Sequence, residues 1–244
     1  MKMHFMILTA VNVPQIEEDE KENAEVRKHF ENEEKKGREY VKSGRWSEEW
    51  GEIKIGMLWK RYYCLNTTFS RAVFEQLEKV MKPYVYDFTP GAVNDHSSAC
   101  DYFTVGGRFW GVFPVRESCK EVVLGERSSL AGTAYGLVDR GTSVSVFPPA
   151  NMEESEEDAD MPEGYVRVSA ARKKDIDWEL LRELANWGEE RYPILTQAYA
   201  FIDNGVLQVP GKDEPDEEWA ERVNAYMDSL PDDALIAIID GGEN

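Results

Sequence analysis

Residues 198–209 read as two apolar runs, Ala198-Tyr199-Ala200-Phe201-Ile202 and Val206-Leu207-Gln208-Val209, joined by Asp203-Asn204-Gly205. A short Asn-Gly connection between such runs predicts a β-hairpin, because the turn needs backbone angles that Asn and Gly tolerate. Upstream, Asp175 or Asp177 caps a helix whose apolar positions Ile176, Leu180, Leu181, Leu184 and Trp187 recur at helical spacing up to Pro193. Tyr165-Val166-Arg167-Val168 before it is a short strand. Downstream, Asp216 opens a second amphipathic helix carrying Trp219, Val223, Tyr226 and Met227, stopped by Pro231. Ala234-Leu235-Ile236-Ala237-Ile238-Ile239 then reads as a buried strand. The order β-α-β-β-α-β predicts a ferredoxin-like split βαβ arrangement within an α+β fold.

Residues 151–163 separate this part from the rest. Glu153-Glu154-Ser155-Glu156-Glu157-Asp158-Ala159-Asp160 carries acids and no base, with Pro148-Pro149 before it and Pro162-Glu163-Gly164 after. Like charges with nothing apolar to bury do not pack, so the expectation is an acidic linker between a domain at 1–150 and one at 164–244.

The first part is mixed α+β. Phe5–Val13 is a strand, and Pro14–Ser43 a charged helix with a thin stripe of Ile16, Val26, Phe30 and Val41. Ile53–Leu65 reads as strand-like, although no turn residue near Leu58 would let it fold back. Thr67 or Thr68 caps a helix with Val73, Leu77, Val80 and Met81. Tyr84–Phe88, Val122–Leu124, Ala134–Val138 and Val144–Phe147 are further strand candidates.

The chain has 244 residues, with 28 Lys and Arg against 47 Asp and Glu, a formal charge of −19. With 42% hydrophobic residues it has material for a core, which excludes wholesale disorder. No apolar run spans a membrane, and Met1–Ala10 lacks the pattern of a cleaved leader. Cys64, Cys100 and Cys119 cannot all pair, which points to a reduced, cytoplasmic setting. The acidity argues against direct binding of duplex nucleic acid or an anionic membrane, since both need a basic face.

Asp101-Tyr102-Phe103-Thr104-Val105-Gly106-Gly107-Arg108-Phe109-Trp110-Gly111-Val112-Phe113 is the one motif-like segment. Gly-Gly between aromatic, β-favouring runs predicts a hairpin pairing Val105 with Arg108 and Phe103 with Trp110. Arg108 is either a structural cation stacked on Trp110 or part of an anion site formed with Gly106 and Gly107.

This segment resembles the Trp-Asp-Trp-Tyr-x-Ile-Gly-Gly-Arg-Trp motif of uncharacterised proteins encoded by phages and prophages. His4-Phe5-Met6-Ile7-Leu8 is similar to their opening strand, Asp175-Ile176-Asp177 to their helix start, and Glu217–Asp240 to their closing acidic helix and aliphatic strand. Cys100 stands where that family has Trp, and Gly241-Gly242-Glu243 replaces a Cys-His ending. The resemblance implies a mobile-element origin and brings no established activity.

Other constellations are plain. Asp95-His96 with Cys100 and Asp101 lacks zinc spacing, and no metal or cofactor is expected. Ser97, Ser98 or Cys100 near His96 matches no nucleophile elbow, so no catalytic residue is assigned. Gly125-Glu126-Arg127-Ser128-Ser129 lacks phosphate-loop spacing. From Asp213 to Asp233 the acids meet a single base, Arg222. Two functions follow. The first is a non-enzymatic anti-defence protein, such as an anti-CRISPR, whose acidic surface (Asp213, Glu214, Asp216, Glu217, Glu218, Glu221) mimics nucleic acid in the basic channel of a host nuclease. The second is a protein holding a nucleotide or other anion at Gly106, Gly107, Arg108 and Trp110.

Overall fold

A computed structural model describes residues 3–86, 100–127, 161–185 and 190–243. The fold is α+β. Strand β1 (Met3–Val11) leads into helices α1 (Glu20–Lys42), α2 (Glu48–Leu65) and α3 (Thr68–Met81). Strands β2 (Tyr102–Gly107), β3 (Phe113–Arg116), β4 (Val122–Val123) and β5 (Glu126–Arg127) follow. Then come β6 (Tyr165–Val168), β7 (Ala170–Arg172), α4 (Trp178–Ala185), β8 (Ala200–Asp203), β9 (Val206–Gln208), α5 (Asp216–Ser229) and β10 (Leu235–Glu243).

Among the described residues, eight strands form one mixed sheet built around β10. Its whole length pairs antiparallel with β1, from Met3↔Glu243 to Val11↔Leu235. Its other edge is shared, with β7 along Leu235–Ala237 and β2 along Ile239–Gly242. Beyond β1 lie β8, parallel, and then β9. Strands β3 and β6 pair apart from this sheet.

Alternation along β10 and β1 sends side chains to two cores. Met6, Leu8, Ile236 and Ile238 pack with Leu181 of α4 and with Trp219, Val223, Tyr226 and Met227 of α5. Ile7, Val11, Leu235, Ala237 and Ile239 pack with Phe69, Val73, Leu77 and Met81 of α3. A strand covered on both faces must be apolar at every position, which is why Leu235–Ile239 reads as a continuous run.

The hairpin β8–β9 forms as expected, turning on Asn204 (φ 48°) and Gly205 (φ 74°). Its outer edge is blunted by Tyr84, whose hydroxyl accepts from the Leu207 N–H at 3.1 Å and donates to the Gly205 carbonyl at 2.5 Å. Asp177 caps α4 through the Leu180 N–H, and Thr67 caps α3 with a reciprocal Ser70 bond. Glu18 adds a second cap to α3, accepting from the Thr68 and Phe69 N–H groups at 2.9 and 3.0 Å.

Three expectations are corrected. Ile53–Leu65 is helical within α2, where a helix started by the Ser47 cap satisfies the backbone locally without a turn or a partner strand. It packs on α1, where Trp59 donates to Glu34 at 2.9 Å and Tyr62 meets Phe30. The Gly-Gly hairpin does not form. Strand β2 already has β10 on one side and β5 on the other, so β3 leaves to pair with β6. Around Tyr84 the chain is a short 3-10 turn, and Val85 makes only an isolated bridge to Cys100.

The C-terminal part runs β6-β7-α4-β8-β9-α5-β10, one strand more than the expected β-α-β-β-α-β, and its strands do not make a sheet by themselves. Strand β1 stands between β10 and β8, and both cores mix residues from either side of 151–163. The linker acids Glu153–Asp160, the strand candidates Ala134–Val138 and Val144–Phe147, residues Phe88, Asp95, His96, Ser97, Ser98, Ser128, Ser129 and Trp187 lie outside the described residues.

Candidate functional site

Three segments far apart in sequence meet where β10 ends. Opposite Gly242 of β10 stand His4 of β1 and Tyr102 of β2, one on each side. Their strands lie about 10 Å apart, two strand spacings, so their side chains would not normally touch. Gly242 removes the obstacle: a Cβ there would come within 2.7 Å of the Tyr102 ring. The ring lies over the glycine, and its hydroxyl reaches to 3.4 Å from His4 Nε2.

Asp240, two residues earlier on the same face, is 3% exposed at its side chain. Its carboxylate can only accept, so His4 Nδ1 donates to it, at 2.9 Å to one oxygen and 3.1 Å to the other. The Arg108 backbone N–H donates to the same carboxylate at 2.9 Å. The Gly-Gly pair makes this approach possible. Gly107 has φ 56°, and a Cβ on it would lie 2.8 Å from Asp240 Cγ. The anion held by the Gly-Gly-Arg backbone is therefore the protein's own Asp240.

The arrangement is a line of groups: Asp240 carboxylate, His4 imidazole, Tyr102 hydroxyl. Asp240 fixes the tautomer with hydrogen on Nδ1, which aims the Nε2 lone pair at Tyr102. Burial first, then the Asp240 charge, raises the Tyr102 pKa, while Arg108 pulls it down, so the hydroxyl stays protonated at neutral pH. The set can hold or pass a proton between Tyr102 and His4 Nε2.

The structure separates the two parts of Arg108. Its amide is committed to Asp240, whereas among the described residues its half-buried guanidinium has no hydrogen bond, ion pair or stacked ring. Gly106 and Gly107 are laddered in parallel with Glu126 and Arg127. Trp110 lies in the turn that follows, closed by the Phe109 N–H to Gly106 carbonyl bond.

On the acidic surface, Asp213, Asp216, Glu217, Glu218 and Glu221 are exposed on α5 and the loop before it. Glu214 is different: it accepts from Arg222 and from the Gly211 N–H, and these bonds hold its carboxyl below the usual range. Helix α5 is fixed by Trp219, which donates to the Ala198 carbonyl at 2.8 Å, and Tyr226, which donates to the Ile202 carbonyl at 2.9 Å.

Sequence reasoning missed His4, Tyr102 and Asp240 as a group, because 236 residues separate His4 from Asp240. One signal was available: a lone polar residue ends each of two apolar strands. It also missed Arg172, which is 5% exposed and bonds Glu121, the Asp233 carbonyl and the Val13 carbonyl. Among the described residues no three His, Cys, Asp or Glu side chains gather as a metal site. Cys64 is pushed up to about 12 by burial, and burial with Asp175 raises Cys119, so neither thiol is activated. No helix among the described residues is long and apolar enough to cross a membrane.

Searches against protein-family models, curated proteins and solved structures found no match.

Proposed function

We propose that the protein is a non-enzymatic binder of phage type that inhibits a host defence factor, docking its acidic surface on a basic nucleic-acid channel. The observation that supports this is the display of Asp216, Glu217, Glu218 and Glu221 on a helix whose other face is buried, with Asp213 exposed in the loop before it. Mimicry of a phosphate backbone requires charges held at fixed spacing, and a packed helix supplies that. The one base within α5, Arg222, is taken up by Glu214.

The test is expression in a host carrying a nuclease-based defence, with phage plaquing as the readout. Wild type restores plaquing. The variant Asp216→Lys/Glu217→Lys/Glu218→Lys/Glu221→Lys, if its melting temperature is unchanged, does not. Equal plaquing with both proteins overturns the reading.

A second reading, anion binding at the Gly-Gly-Arg turn, is favoured by one observation. The Arg108 guanidinium has no partner among the described residues, although its backbone is locked in place.

A further inference from the structure

We infer that the His4 imidazole, the Tyr102 hydroxyl and the Arg108 guanidinium form one binding site for a tetrahedral oxyanion of the phosphate type. The inference rests on the second reading above and extends it from one residue to three strands.

The argument begins with which hydrogen-bonding groups are already used. Asp240 accepts from His4 Nδ1 and from the Arg108 N–H, so one buried carboxylate anchors both residues within a hydrogen bond of itself. That inner layer is complete. Three polar groups remain beyond it: His4 Nε2, the Tyr102 hydroxyl and the Arg108 guanidinium. The Nε2-to-hydroxyl distance of 3.4 Å is long beside the ~2.7–3.0 Å of a well-formed bond. A phosphate placed between them donates its own P–OH hydrogen to the Nε2 lone pair, while Nδ1–H stays on Asp240. Tyr102 donates its hydroxyl hydrogen, and the planar guanidinium gives a two-pronged grip.

The local field is mixed, with Asp240 and Asp101 acting against Arg108, so among the described residues the guanidinium is the one cation at the site for an anionic guest to meet. Arg108 is close enough to Tyr102 to oppose the pull of Asp240 and of Asp101 on its hydroxyl. Asp240 is already compensated by two N–H donors. The net −19 of the chain does not forbid the site, because at physiological salt charges beyond about 8 Å are largely screened.

Titration of the full chain with inorganic phosphate, followed by calorimetry and by the His4 imidazole resonances, tests this. At about ten times its Kd, phosphate should raise the melting temperature by roughly 3–6 °C. Arg108→Ala, His4→Gln and Tyr102→Phe should each weaken binding, Arg108→Ala by about tenfold or more. Arg108→Ala keeps its amide and folds as wild type, so its loss of binding is not a folding effect. If Arg108→Ala abolishes binding while His4→Gln and Tyr102→Phe leave it unchanged, the second reading stands and the three-residue site falls. If phosphate shifts neither heat nor resonances, or if chloride acts equally, both fall.

Discussion

Gly107 and Asp240 occupy adjoining strands so closely that no side chain fits between them: a Cβ on Gly107 would sit 2.8 Å from Asp240 Cγ. This contact explains the glycine better than hairpin formation does. The residue is needed because a carboxylate lies against its backbone, and that carboxylate in turn holds His4.

Gly107→Ala combines backbone strain at φ 56° with displacement of Asp240. The expected cost is about 2–4 kcal/mol, measured by denaturant unfolding. Gly56, inside α2 with open space around its Cα, is the matched control. Gly56→Ala should stabilise by about 0.5–1 kcal/mol.

Arg108→Ala should change stability by no more than about 0.5 kcal/mol, since the guanidinium has no partner among the described residues. Arg108→Pro removes the N–H that Asp240 accepts and should cost about 1.5–3 kcal/mol or more. Equal losses in the two variants would show that the side chain, and not the amide, does the structural work.

Arg172→Met breaks the ion pair of a buried guanidinium with the partly exposed Glu121 and leaves two carbonyls without their donor. A loss of about 3–5 kcal/mol is expected in thermal or urea unfolding. The double variant Arg172→Met/Glu121→Leu should recover part of it, because no carboxylate is then left without its cation.

Glu18 is coupled to pH. Burial raises its pKa, but bonds from Asn23, Phe69 and Thr68, with the Arg71 charge, outweigh that and hold it below the ordinary value. A carboxyl lowered by folding stabilises above its unfolded pKa, about 4.3, and loses that contribution as pH falls through the folded value. Wild type should therefore exceed Glu18→Gln in stability at pH 7, with the gap closing below about pH 4. A gap that persists at pH 2 would show a purely steric role.

Much of the C-terminal part was legible because its signals are local. Asn204-Gly205 dictates its own turn, Asp177 caps the helix it precedes, and the stripe Trp219-Val223-Tyr226 needs only its spacing. What was not legible depends on partners elsewhere. Nothing near Phe5–Val13 announces that this strand separates β10 from β8, and nothing near Gly106 reveals that both sides of β2 are taken. Apolar density alone could not tell α2 from a strand. At the site, Arg108 was visible as an odd cation in an aromatic run. His4 and Asp240 looked like strand-end polar residues until the sheet placed them together.

The pairing of β1 with β10 also sets a timetable. As the ribosome emits the chain, β1 emerges early and its partner among the last described residues, from Leu235 to Glu243. At ~5–20 residues per second, Met6, Ile7 and Leu8 wait ten seconds or more for the strand that covers their edge. Nascent chains must keep that apolar ribbon from pairing with a neighbour's, so crowded synthesis on one messenger is where this fold is most exposed to exchanging strands between copies.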